Sequence, residues 1–197
     1  MINQRFKKQI EFIREIDKLK QIFRRTILMD GSRTENDAEH SWHLAVMAIV
    51  LSEYTAEKNL DLSHVIKMVL IHDLVEIDAG DTYLYDEQAA QDKAQREQKA
   101  ADRIFALLPD DQAQEFRKLW EEFEGRRTPE AKFAATLDRF QPLLHNYETE
   151  GKSWKQHGIT SDKVFQRGQY MQEGSPTLWE YAQTLIQRAA QQGYLAP

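Results

Sequence analysis

Apolar residues recur at three- and four-residue spacing along most of this chain, and clear strand-type alternation is missing. That period gathers apolar side chains on one face of a helix, so the pattern predicts an all-α fold. A first helix is expected over about residues 3–25, with Phe6, Ile10, Ile13, Leu19, Ile22 and Phe23 as buried candidates. A polar stretch from Asp30 to Asp37 breaks the pattern. Asn36 with Glu39 three residues on has the form of a capping box, which puts His40 in the first turn of the next helix. From Ala45 to Leu51 that helix is apolar on every side, and it is expected at the centre of the domain.

A third helix, about 62–77, shows the stripe Leu62, Val65, Ile66, Val69 and Leu70 and ends near Gly80. Continued by three or four residues, the stripe lands on His72, Asp73 and Glu76. A carboxylate in such a place is costly unless it is paired or bound to a cation. The His72-Asp73 pair is therefore either a satisfied polar cluster of the core or one edge of a metal site. Further helices are expected at about Asp86 to Leu108, 110–124, 129–147 and 176–191. Ser175-Pro176 supplies an N-cap and first helical residue for the last of these, and Gly193 is placed to end it. Gly151 and Gly158 loosen the chain between the last two helices. Trp120, Phe123, Trp179 and Tyr181 are expected in the core, although aromatic residues also suit a dimer interface.

Composition narrows the class. The 197 residues fit one domain, with the chemistry-bearing motifs over about 19–147 and a C-terminal helical extension over about 160–193. No stretch approaches the roughly 20 apolar residues that span a bilayer, and the N-terminal MINQRFKKQIEF lacks the apolar run of a signal peptide. With no cysteine, disulfides and thiolate ligands are excluded, so any metal must be held by His and carboxylate. The same absence suits a cytoplasmic protein. A formal charge of −6 argues against binding polymeric nucleic acid, yet a local cluster of Arg would still admit a small phosphorylated substrate.

Three expected helices each offer polar groups at otherwise buried positions: His40, the His72-Asp73 pair, and Asp138 in the run Phe133-Ala134-Ala135-Thr136-Leu137-Asp138. Two imidazoles and two carboxylates make a mixed nitrogen/oxygen set suited to a divalent first-row metal. Glu76 lies on the same helix face as the pair, where it would hold an attacking water or take its proton. His64 lies about 12 Å along the helix axis from His72, and His145 about 10 Å from Asp138. Neither reaches such a centre, His157 falls in an expected loop, and the centre reads as mononuclear. His43 reads as a packed or supporting histidine. Asp37 reads as support for a helix N-terminus, and Arg33 as a solvated loop residue. Arg25 and Arg139 stand open between ion pairing and substrate contact. Pro142 forfeits a helical hydrogen bond to the carbonyl of Asp138, and a kink there would aim the Asp138 carboxylate.

The order His40, His72-Asp73, Asp138 resembles the H…HD…D pattern of the HD-domain metal-dependent phosphohydrolases, and most of all their 5'-deoxynucleotidase-like branch. Arg33-Thr34-Glu35-Asn36 followed by Glu39-His40-Ser41 is similar to that branch's RxEsxxEH signature, and His72-Asp73-Leu74-Val75-Glu76 with Gly80-Asp81 to its HDxxE…GD. Leu19-Lys20 with Arg24 resembles its LKxxxR, and Glu130-Ala131-Lys132-Phe133 with Leu137-Asp138 the segment bearing its last ligand. The resemblance implies a single-domain helical bundle around one divalent cation per chain (Mn, Co, Fe, Ni, Zn or Mg) held by His40, His72, Asp73 and Asp138. It implies catalytic roles for Glu76 and Asp81, and a substrate phosphate held by Arg24. The implied substrate is a deoxynucleoside 5'-monophosphate, and the implied assembly a homodimer. Arg25 and Thr82-Tyr83-Leu84-Tyr85 depart from that branch, which has Trp after the arginine and a Pro/Thr-rich loop after the GD. The alternatives are a phosphohydrolase with another small phosphorylated substrate, or a non-catalytic HD protein that binds a nucleotide and acts by interaction.

Overall fold

The computed structural model describes residues 2–86, 88 and 91–196. Helix α1 (Gln4–Ile16) starts at Asn3, whose side chain accepts the Phe6 N–H at 2.8 Å. Its one buried residue is Phe12, while Phe6 and Ile13 are exposed. The helix expected to reach residue 25 stops at Ile16. A 3-10 turn, Asp17–Gln21, buries Leu19, and the chain then extends as β1 (Phe23–Ile27), leaving Phe23 exposed. β1 pairs antiparallel with β2 (Thr34–Asn36), in the register Phe23 to Asn36 and Ile27 to Thr34 with an irregularity between. The aromatic and β-branched residues Ile22, Phe23, Thr26 and Ile27 favour this extended form. The hairpin closes through Leu28 N–H to Arg33 C=O at 2.9 Å, with Gly31 at φ 73°.

Helix α2 (Asp37–Leu51) begins at the expected capping box. The Asn36 side chain accepts the Glu39 N–H at 2.9 Å, and the Glu39 carboxylate accepts the Asn36 N–H at 3.2 Å. This helix is not at the centre. Leu44, Met47 and Ala48 face inward, but Trp42 (64% exposed), Val46, Ile49 and Val50 (63% exposed) line its outer side. The central place belongs to α7 (Pro129–Glu148), which buries Phe133, Ala134, Leu137, Phe140 and Leu143 and packs against α2 and against the helices that begin at Leu62, Asp110, Met171 and Pro176.

Helix α3 (Leu62–Ile71) starts at the Asp61 cap and tightens into a 3-10 turn over His72–Val75 before α4 (Glu76–Ala79). The single helix expected over 62–77 is thus broken at the His-Asp pair. Gly80, at φ 74°, ends it. Helix α5 (Lys93–Phe105) is shorter than expected at its start, and residues 87, 89 and 90 of the expected span lie outside the described residues. Helix α6 (Asp110–Gly125) ends at Arg126, whose φ of 47° puts a non-glycine residue in the left-handed region. After α7, which runs through Pro142, come α8 (Lys152–His157), α9 (Ser161–Gly168) and α10 (Met171–Gly174). His157 therefore ends a short helix instead of lying in a loop. Helix α11 (Pro176–Gln191) starts as expected, with the Ser175 hydroxyl accepting the Leu178 N–H at 3.2 Å. Trp120, Phe123 and Trp179 are buried, whereas Tyr181 is half exposed.

Candidate metal centre

Three separate segments bring His40, His72, Asp73 and Asp138 together. The capping box that starts α2 directs His40 inward, where it is fully buried. Its Nε2 lies 3.0 Å from Asp138 Oδ1 on α7 and 3.9 Å from Asp73 Oδ2. The tight turn after α3 sets the other pair. His72 Nδ1 donates to the Val69 carbonyl at 2.9 Å, which leaves Nε2 as the ring nitrogen that faces the acids. That Nε2 is buried, 3.0 Å from Asp73 Oδ1 and 3.7 Å from Asp138 Oδ1, but aligned for a hydrogen bond with neither. A buried imidazole nitrogen facing two carboxylates without a hydrogen bond costs free energy as it stands. It fits a divalent cation shared by two nitrogen and two oxygen ligands.

The charge around this point supports the same fit. Asp37, Asp73 and Glu76 bring carboxylate oxygens within 4.8 Å of one another, all of them buried. Burial, and then the Asp73 charge, push the Asp37 carboxyl up to about 7, against the pull of Arg24. Burial and the neighbouring Asp73, Asp37 and Asp81 lift Glu76 well above the usual carboxylate range, and burial lifts Asp81. Burial works against charge on His72 and Asp73 too, but their mutual attraction wins. With Asp138 adding to it, His72 is held at about 10; with Arg24 adding to it, Asp73 is held at about 2. The site holds more acid than its own cations can balance, and a metal ion is the natural counter-charge.

Arg24, on β1, has carboxylate partners already: its Nη1 is 3.0 Å from Asp73 Oδ2 and 3.3 Å from Asp37 Oδ1. It lines a cleft of about 240 Å³ together with Glu76, Asp81 and Lys93. Arg25, Arg126 and Arg139 line the same cleft, and each meets a tyrosine. The Arg25 guanidinium lies 5.5 Å from the Tyr83 ring centre and that of Arg126 lies 4.6 Å from Tyr170, while Arg139 Nε donates to the Tyr170 hydroxyl at 3.1 Å. Among the described residues no carboxylate ion-pairs with these three. Arg33 instead forms a two-pronged pair with Glu39 at 2.6 and 2.9 Å, on the surface. His64 pairs with Glu122 at 2.8 Å, away from the centre.

The HD domain family profile matches residues 16–179, which is most of the chain. The chain belongs to the HD domain family. Human 5'-deoxynucleotidase HDDC2 is 32% identical over 142 residues, covering 72% of this chain and 68% of the relative. A crystal structure of a predicted metal-dependent phosphohydrolase from Magnetospirillum magnetotacticum MS-1 is 53% identical, covers 100% of both chains and superposes with a TM-score of 0.95. The PH0347 protein of Pyrococcus horikoshii OT3, at 21% identity and a TM-score of 0.61 over 93% of this chain and 99% of its own, shares the fold.

This HD domain also contains site residues that the sequence reading passed over. Asp37, expected only to support a helix end, is fully buried between Arg24 and the other acids. Glu35, Gln141 and His145 are buried behind His40. Glu35 lies inside the RxE signature; Gln141 carries no motif, and its partners His40 and Glu35 lie about a hundred residues away.

Proposed function

We propose that this protein is a metal-dependent phosphomonoesterase whose substrate is a deoxynucleoside 5'-monophosphate, with one divalent cation per chain held by His40, His72, Asp73 and Asp138. The observation that carries this reading is the buried, unpartnered Nε2 of His72, set between two carboxylates beside His40. The names of the relatives supply the substrate class. When bound, the cation would polarise a phosphoryl oxygen and make water more acidic. Glu76, on the cleft wall, takes the proton of the attacking water at a carboxylate oxygen. As the new P–O bond forms, the bond to the 5' oxygen breaks, and Asp81 donates the proton that this oxygen needs to leave as an alcohol. Arg24 holds the non-bridging phosphate oxygens through its planar fork. The arginines that face tyrosine instead of carboxylate, Arg25, Arg126 and Arg139, keep the outer cleft receptive to an anion. Tyr83, Tyr85 and Tyr170 give flat apolar surface for the nucleoside.

Phosphate release from deoxynucleoside monophosphates, measured with Mn²⁺, Co²⁺ and Mg²⁺, tests this. Turnover is expected with at least one of these ions. Protein that binds metal yet releases phosphate from none of the substrates overturns the reading. The exposed stripe Trp42, Val46, Ile49 and Val50 on α2 supports a homodimer through that face, and an Ile49→Asp variant should be monomeric by light scattering where the wild type is dimeric. Among the described residues no helix is long and apolar enough to cross a membrane. The cysteine-free sequence fits a cytoplasmic setting.

A further inference from the structure

Behind His40, on the side away from the cleft, lies a buried polar cluster for which the chemistry above has no use. Gln141 is fully buried, and Glu35 and His145 nearly so. The Gln141 amide nitrogen sits 2.6 Å from Glu35 Oε1, 3.0 Å from His145 Nε2 and 3.3 Å from His43 Nδ1. On the other side, Gln141 Oε1 sits 3.2 Å from His40 Nδ1. His145 Nδ1 sits 3.0 Å from the Ile27 carbonyl of β1.

Donor and acceptor types fix the direction of the bonds that run from Ile27 to His40. A backbone carbonyl can only accept, so His145 donates from Nδ1 and its Nε2 is an acceptor. A carboxylate can only accept, so Glu35 and His145 Nε2 take the two N–H groups of the Gln141 amide. The amide cannot turn over without placing its oxygen 2.6 Å from a carboxylate oxygen. Its Oε1 is therefore committed to the Nδ1–H of His40; the Nε2 of His40 faces the Asp138 carboxylate at 3.0 Å, which can only accept, so a cation bound there would take the place of the proton on Nε2. Glu35 Oε2, 3.6 Å from His40 Nδ1, adds negative charge on the same side.

We propose that Gln141, locked by Glu35 and His145, is a positioning residue for the metal: it accepts the Nδ1–H of His40 and so holds the His40 Nε2 lone pair on the ion. This rests on the assignment of His40 as a ligand. The polarity runs unbroken from the Ile27 carbonyl on the strand that bears Arg24, through His145 and Gln141, to His40. An imidazole held this way is fixed in ring orientation and is a better donor to the metal, an effect usually worth roughly ten- to a hundredfold in affinity. Glu35, His43 and His145 also have ligand atoms within 4.8 Å of one another, the spacing of a second cation site. The Gln141 nitrogen occupies the point a cation would take, so this spacing serves the amide, whose two N–H groups go to Glu35 and His145, and not a second ion.

The test uses the full chain loaded with Zn²⁺. Chelator competition should give a dissociation constant raised roughly ten- to a hundredfold in Gln141→Leu, with the wild-type KM for phosphomonoester retained at saturating metal. The wild type alone is informative by 15N NMR: His40 should bind Zn²⁺ through Nε2 and show a slowly exchanging Nδ1 proton, which becomes fast-exchanging in Gln141→Leu. Metal analysis should give one ion per chain. Wild-type protein that binds no ion overturns both this proposal and the metal assignment beneath it. Equal Zn²⁺ affinity in Gln141→Leu, a His40 bound through Nδ1, or a second ion retained at Glu35, His43 and His145 overturns this proposal alone.

Discussion

Asp37→Asn should stabilise the metal-free protein above neutral pH, although it removes an ion pair with Arg24. Asp37 is fully buried, and burial together with Asp73 holds its carboxyl at about 7 against an ordinary value of 3.8. The unfolded chain therefore loses this proton near pH 4, while the folded chain keeps it to near pH 7. Between those values the folded state binds more protons, so the Asp37 contribution to stability falls as pH rises and is fully unfavourable above 7. At about 1.4 kcal/mol per pH unit, the gross penalty is on the order of 4 kcal/mol at pH 8 and less than half of that at pH 5. Two terms oppose the gain in the variant. Arg24 keeps Asp73 at 3.0 Å but loses Asp37, and a negative charge in the first turn of α2 is favourable by about 0.3–1 kcal/mol. A net gain of about 2–3 kcal/mol at pH 8 is expected, shrinking toward zero by pH 5. Urea titrations of chelator-treated wild type and variant at pH 5, 6, 7 and 8 measure it. A variant that is less stable at pH 8, or a difference that does not change with pH, would refute the reasoning.

Three further outcomes follow from the same geometry. His72→Ala should lose the bound ion in metal analysis. At a metal concentration a hundredfold above the dissociation constant the wild type should gain about 2.7 kcal/mol. That is a rise of about 5–11 °C in melting temperature for a chain of this size, and the variant should show none of it. Glu76→Gln should keep its metal but lose turnover by about 10²- to 10⁴-fold, as expected on removing a general base; retained turnover would assign the proton to another group. Gly174→Ala should destabilise by about 1–3 kcal/mol in denaturant titrations, because its new Cβ would lie 2.4 Å from both the Lys132 carbonyl and Thr136 Oγ1 on α7.

The sequence made the helices around the centre legible because their caps are local. Asn36 with Glu39 states where α2 begins, and Ser175-Pro176 states where α11 begins, without help from distant residues. The pair His72-Asp73 stood out because charge broke an apolar stripe. What stayed hidden depends on tertiary contact. The first helix carries the right period to run on to residue 25, but pairing of Phe23–Ile27 with Thr34–Asn36 diverts it into a hairpin. The even apolar coat of α2 implied a central position; in the fold its outer stripe is uncovered, and α7 takes the centre. Nor does periodicity distinguish an α-helix from the 3-10 turn that begins at His72.

That turn and the hairpin are where helical periodicity gives way, and both serve the centre. In a regular helix adjacent side chains point about 100° apart; in the 3-10 turn the Val69 carbonyl holds His72 Nδ1, while Asp73 reaches both His72 and Arg24. The hairpin places Arg24 of β1 against those acids and the Ile27 carbonyl of the same strand against His145. One short strand therefore touches the centre twice, from the front through a cation and from behind through the buried amide of Gln141. A helix at residues 23–27 would put positions 24 and 27 only about 60° apart on one face and commit the Ile27 carbonyl to a helical hydrogen bond, whereas in a strand residues three apart serve opposite sides. The loss of the helix predicted there is thus the change that lets one segment support both sides of the site.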